Sequence, residues 1–222
     1  VKKKLMLPLI VAALGLSACS SEPAAAPLEA EPLHNLLIDG SESGLDNATE
    51  GNDTSLSGQP INLTVVNGAL DIDGSCGKAL QAVEDVNLDS VASASRALAS
   101  GDKQVGIAMY STAEDNDISP MDLYADIANA CEDPVVDSSD TTYTFGKLDD
   151  APDGAVGFTL DIEVTPDNQG STVMMIQELG NHHIIVAGLE TTPEETATVF
   201  EAQRTKLEEG LQLKQNWQLG WV

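Results

Sequence analysis

The side chains best suited to acid–base or metal chemistry are three histidines and a large excess of carboxylates. His182 and His183 are adjacent in a run that reads as a β-strand. Successive strand residues point to opposite faces, so the two imidazoles cannot chelate one ion. If the chain turns at Gly180-Asn181, Glu178 falls opposite His183, which predicts an ordinary cross-strand charge pair. His34 stands by itself ahead of a polar stretch. Nucleophile motifs are lacking: Gly74-Ser75-Cys76-Gly77 is not the strained Gly-x-Ser-x-Gly elbow of a hydrolase, and there is no glycine-rich phosphate loop. Asp39, Glu42, Asp46, Glu50 and Asp53 are of the right type for Ca²⁺, but they lack the ordered ligand spacing and closing Glu of an EF-hand loop. They read as solvated acid. No catalytic residue, metal ligand or cofactor is expected on these grounds.

The beginning of the chain carries a different kind of signal. Lys2, Lys3 and Lys4, then the apolar run Leu5 to Leu16 and small residues, have the layout of an export signal. Such a run is too short to cross a hydrocarbon core about 30 Å thick, which predicts cleavage rather than a spanning anchor. Leu16-Ser17-Ala18-Cys19 closes the signal and resembles the lipobox of bacterial lipoproteins. The resemblance implies a signal peptide over residues 1–18, diacylglyceryl transfer to the Cys19 thiol, and attachment to a membrane by acyl chains on Cys19. Two or more chains anchor stably, whereas one binds only reversibly. The folded part would then sit on the outer, extracytoplasmic face of the cell membrane or envelope. With Cys19 taken up by lipid, Cys76 and Cys131 remain as an even pair, and an oxidising space favours a disulfide between them. Closing a loop of about 56 residues stabilises a fold by about 4 kcal/mol on the chain-entropy model.

Charge excludes a class of partner. The chain has 10 basic and 36 acidic side chains, a net charge of −26. Nucleic acid is excluded, since phosphate backbones are bound by Lys and Arg that release counterions. Anionic headgroups are repelled too, so membrane attachment rests on acyl chains rather than a basic patch.

The elements follow from periodicity and turn chemistry. Ser20 to Pro32 is rich in Ala, Pro and Glu, and Asp39 to Pro60 is polar and acidic, so residues 19–60 read as the lipidated cysteine and a flexible acidic stem. Within it, Leu33, Leu36, Leu37 and Ile38 suit one short element docked on the domain. Ile61 to Asp73 reads as a hairpin turning at Asn67-Gly68. Cys76, Leu80 and Val83 recur at helical spacing up to Asp85, while 91–100 fits helix or strand. Val105, Ile107 and Met109 alternate as a strand. Ser119-Pro120 opens a helix whose buried face carries Met121, Tyr124, Ile127 and Cys131. Val156 to Val164 alternates strictly, and Val173 to Leu179 returns through Gly180-Asn181 into His182 to Gly188, with Ile176 facing Ile185 and Met175 facing Val186. Thr192-Pro193-Glu194-Glu195 is a capping box that opens a last helix toward Gly210 or Leu213.

The fold class is therefore α+β: an antiparallel β-sheet with about three packed helices and one disulfide, the domain spanning 61–213 and a tail 214–222. The order of Cys76-x-x-Ala79-Leu80, the strand pair around Ser100-Gly101-Asp102, the helix ending at Cys131, Asn181 to Leu189 and the Thr192 helix resembles the extracellular sensor domain of actinobacterial PknH-type kinases over roughly 61–213. This chain departs from that family in having one candidate disulfide rather than two. The resemblance implies a non-enzymatic domain that binds a small molecule, a glycan or an envelope protein. An envelope hydrolase and a structural surface antigen stand as the alternatives.

Overall fold

The computed structural model describes residues 26–59, 61–63, 72–113 and 118–219. The elements in chain order are α1 (Ala30–His34), β1 (Thr49–Ser57), β2 (Ile61–Asn62), α2 (Gly74–Asp85), β3 (Asn87–Leu88), β4 (Ser90–Ser100), β5 (Lys103–Thr112), α3 (Pro120–Ala130), β6 (Val135–Val136), β7 (Thr142–Lys147), β8 (Val156–Thr165), β9 (Asn168–Leu179), β10 (His182–Leu189) and α4 (Pro193–Leu219). Among the described residues, eight strands form one antiparallel sheet in the order β1-β4-β5-β10-β9-β8-β7-β6, and β2 pairs with β3 apart from it. The α+β class, the antiparallel sheet and the single disulfide are those expected. The expected hairpin over Ile61 to Asp73 lies mostly outside the described residues, and its described ends do not pair as expected: Ile61 and Asn62 pair with Leu88 and Asn87 of β3, while Asp73 leads into α2. Cys19 and the export signal also lie outside the described residues.

Local chemistry explains the best-ordered part. Gly101 and Gly180 open two-residue turns with φ of 65° and 66°, a region open to glycine without penalty, and the strands on either side pair directly across them. The β9–β10 register is the expected one, with Ile176 opposite Ile185 and Met175 opposite Val186. Apolar residues on both faces make this the middle of the sheet. Residues 90–100 resolve as a strand, because Ala92, Ala94 and Leu98 alternate onto one buried face between β1 and β5.

Two cores form, one on each face. Val105, Ile107, Met109, Val173, Met175, Ile184 and Val186 meet Val199, Phe200 and Leu207 of α4, and Leu28, Leu33, Leu37 and Ile38 complete that side. On the other face Tyr110, Phe145, Phe158, Leu160, Met174 and Ile176 pack against Cys76 and Val83 of α2 and Tyr124 and Ile127 of α3. Each fully buried aliphatic or aromatic side chain contributes about 1.5–3 kcal/mol. The Cys76–Cys131 disulfide, with Cα atoms 4.6 Å apart, joins the start of α2 to the end of α3 inside this second core.

Two expectations are corrected. The flexible stem over 19–60 is folded in its described part: α1 and the residues after it dock as expected of Leu33 to Ile38, but the polar stretch that follows carries β1 on the sheet edge. Buried Gln203 of α4 accepts from the Ile38 amide at 3.1 Å and donates to the Leu36 carbonyl at 2.8 Å, and the Leu28 amide donates to Ser111 Oγ at 2.9 Å. β1 is exposed at all nine positions, so it carries no apolar alternation; its hold is the backbone ladder to β4 and the Arg96 guanidinium, which reaches Asp53 at 2.7 Å and the Ile38 carbonyl at 3.1 Å. The last helix runs to Leu219 and so continues into the expected tail 214–222, since nothing in 211–219 breaks a helix.

Candidate binding surface

The pair singled out in the sequence does meet in register, His183 opposite Glu178, but no charge pair forms. On its other side His183 faces Tyr110 of β5, and the two rings stack with centroids 4.6 Å apart and planes 14° from parallel. His183 Nε2 lies 3.3 Å from Thr112 Oγ1. Burial pushes the imidazole pKa down to about 4, so it is neutral at pH 7. Burial likewise drives the Tyr110 hydroxyl well above its ordinary value, with the charges of Tyr124 and Glu178 adding to it. Glu178 turns instead to the start of α3, where its Oε1 accepts from Ser119 Oγ at 2.8 Å and from the Met121 amide at 3.0 Å. Ser119 Oγ in turn accepts from the Asp122 amide at 3.2 Å. The correction has a physical cause: a helix start exposes unpaired N–H groups and a positive dipole end, a better partner for a carboxylate than a buried neutral imidazole. His182 is buried on the opposite face, as the alternation requires.

His34 is not isolated. Its Nε2 lies 2.6 Å from Asp53 Oδ1, tying α1 to β1. Although burial acts to raise it, hydrogen bonds from Arg96 and His34 hold the Asp53 carboxyl below its ordinary range.

An open, acidic concavity lies elsewhere. It measures about 330 Å³ and is lined by Thr142, Thr144, Asp161, Glu163, Gln169, Ser171 and Glu190, together with Ile162 and Gly170. Strand register explains the set. Thr144, Asp161 and Ser171 are successive partners across β7, β8 and β9, and Thr142, Glu163 and Gln169 form a second row. Partners share a face, so the rows stand side by side beyond the part of the sheet on which α4 packs, β9 and β10. Glu190 extends the first row: its amide donates to the Ser171 carbonyl at 2.9 Å, and its Oε1 accepts from the Ser171 amide at 3.3 Å. Its φ of 56° is in the left-handed region that a non-glycine residue enters at a cost. The lining thus holds three carboxylates, hydroxyls and an amide, with no Lys or Arg. Such a groove attracts cations and offers many acceptors. Among the described residues no group of three His, Cys, Asp or Glu is placed to hold a metal ion. No residue of this groove was expected from the sequence; its only local sign is the polar alternation of 142, 144 and of 161, 163, which becomes a site once strand neighbours are known.

No family model and no curated protein matches the chain. Solved structures share its fold, among them two mycobacterial proteins. One is the extracellular domain of PknH from Mycobacterium tuberculosis, at a TM-score of 0.52 and 12% identity over 83% of this chain and 99% of that one. The other is an Rv0999 ortholog from Mycobacterium smegmatis, at 0.50 and 12% over 83% of this chain and 97% of that one. The likeness is one of fold. Among the described residues no helix is long and apolar enough to cross a membrane.

Proposed function

We propose that this chain is a lipoprotein, anchored by acyl chains on Cys19, whose α+β domain stands outside the membrane and binds a cationic ligand without chemistry of its own. The observation that carries the binding reading is the pair of polar rows across β7, β8 and β9, which set Asp161, Glu163 and Glu190 around one groove with no cation among them. The ligand class is an amine-bearing small molecule, an amine-bearing glycan or a basic segment of an envelope protein. The fold shared with a PknH extracellular domain supports the extracytoplasmic placement, as does the layout of residues 1–19. The buried contact of the His183 imidazole with the Thr112 hydroxyl is sealed in the sheet and supports no turnover.

Titration calorimetry of the full chain with spermine as the cationic probe tests the binding site. Binding is expected in the parent and lost in Asp161→Asn with Glu163→Gln at an unchanged thermal midpoint. Equal binding by the parent and the double variant would remove the groove as the site. Anchoring has its own test: labelling with an alkynyl fatty acid should tag the parent and not Cys19→Ser, and equal tagging would overturn it.

A further inference from the structure

The two ends of the sheet differ. One ends in β6, only two residues long, where Asp137 Oδ1 accepts from the amides of Ser139 and Thr141 at 2.8 and 3.0 Å. The other ends in β1, nine residues long, exposed at every position and with no strand on its outer edge among the described residues. Folded proteins blunt such edges with charge, proline, bulges or brevity. β1 has these devices only in its first half, where the register slips between Glu50 and Asp53 and both acids lie within reach of Arg96. From Asp53 to Ser57 the register is regular, and Thr54-Ser55-Leu56-Ser57 has neither charge nor proline. Leu56 within it is 50% exposed.

We propose that two copies of this chain pair through the outer edges of β1, antiparallel, about a two-fold axis at Ser55. A second copy is favoured over a foreign strand because the run is complementary to itself. In a two-fold strand pair, partners must point to the same face, so some residue stands opposite its own copy. Only a centre at Ser55 uses the whole regular run, setting Thr54 opposite the second Leu56 and Asp53 opposite the second Ser57. The faces agree with the side-chain contacts: Asp53 and Ser55 turn toward α1, with Ser55 Oγ 3.1 Å from the Ala30 carbonyl, while Thr54 turns to the other face, 2.7 Å from Ser95 Oγ. Leu56 then gains an apolar methyl neighbour from the second Thr54. Charge points the same way. On a chain of net charge −26, most contacts between copies set acid against acid, whereas this run brings neutral residues together and the flanking Asp53 is already held by Arg96 and His34. A ladder of this length buries less than a stable dimer in dilute solution needs, so a covalent trap is the appropriate readout.

Residues opposite each other in a strand pair have Cβ atoms about 4.5–5.5 Å apart, from which a small movement of two edge strands reaches the roughly 3.5–4.5 Å of a disulfide. The test is oxidation of full-length single-cysteine additions, read on non-reducing gels against the parent chain, whose own cysteines set the background. Ser55→Cys is expected to dimerise much faster than Thr54→Cys or the distant, exposed Ser138→Cys. A mixture of Thr54→Cys and Leu56→Cys should cross-link to each other faster than either does alone. Adding Leu56→Lys to Ser55→Cys should slow trapping about tenfold at an unchanged thermal midpoint. Equal rates at Ser55, Thr54 and Ser138 would mean random collision and would overturn the proposal, as would indifference to Leu56→Lys or capture of a different protein in place of a second copy.

Discussion

Glu178 and His183 share one cross-strand position yet serve different neighbours, and each makes its own prediction. Glu178 supplies the anion for the first turn of α3. Glu178→Gln keeps an acceptor but removes the charge, so a loss of about 1 kcal/mol is expected, read as a lower urea midpoint. An unchanged midpoint would show that the carboxylate does not cap the helix. His183 couples stability to pH. Its imidazole titrates near 6.5 when unfolded and at about 4 when folded, so below pH 6.5 the unfolded chain binds more protons. Stability from this group is complete above pH 6.5 and falls as pH drops toward 4, by up to about 3 kcal/mol if the whole shift is expressed. Asp39, Glu42, Asp53, Asp137 and Glu195, whose carboxyls are held below their ordinary range, act mainly at lower pH. His183→Gln should therefore flatten the dependence of the thermal midpoint on pH between 6.5 and 4.5. A slope as steep as the parent's would assign the effect to other groups.

Among the elements, those with strong internal patterns were legible and those held by distant partners were not. β8, β9 and β10 alternate around turn residues, and α4 opens on a capping box in which the Thr192 amide donates to Glu195 and the Glu195 amide to Thr192 Oγ1. β1 offered no such sign. Its residues are polar all round because an edge strand buries neither face here, and its pairing depends on β4 some forty residues later. The sheet-side ends of Gln203 and Arg96, which bind the chain around Leu36 and Ile38, were invisible for the same reason. The disulfide acts between elements: it holds α2 to α3 over the second core. Replacing Cys76 and Cys131 together by Ala is expected to cost about 4 kcal/mol, seen in urea unfolding without reductant, while far-ultraviolet circular dichroism keeps the native form. A parent chain that is equally stable with and without reductant would contradict it.

For the whole molecule, a charge of −26 is spread over a sheet with helices on both faces, and the acidic groove lies within that field. Binding of a cationic probe should weaken severalfold as ionic strength rises from about 0.01 to 0.15 M, where the Debye length falls from about 30 to 8 Å. An uncharged probe should not respond, and a cationic probe indifferent to salt would argue against electrostatic recognition. By itself the sequence determined the α+β class, the β9–β10 hairpin with its register, the two capped helices and the exclusion of nucleic acid. Each of these rests on neighbours in the chain, on a period of two or 3.6 residues, or on total charge, and such quantities need no three-dimensional information. Only the tertiary structure decided that β1 closes one edge, that Glu178 belongs to α3 rather than to His183, and that Thr144, Asp161, Ser171 and Glu190 stand in one row. Those outcomes depend on which strands become neighbours and where a helix end lands, and burying two opposite faces of one sheet settles both at once.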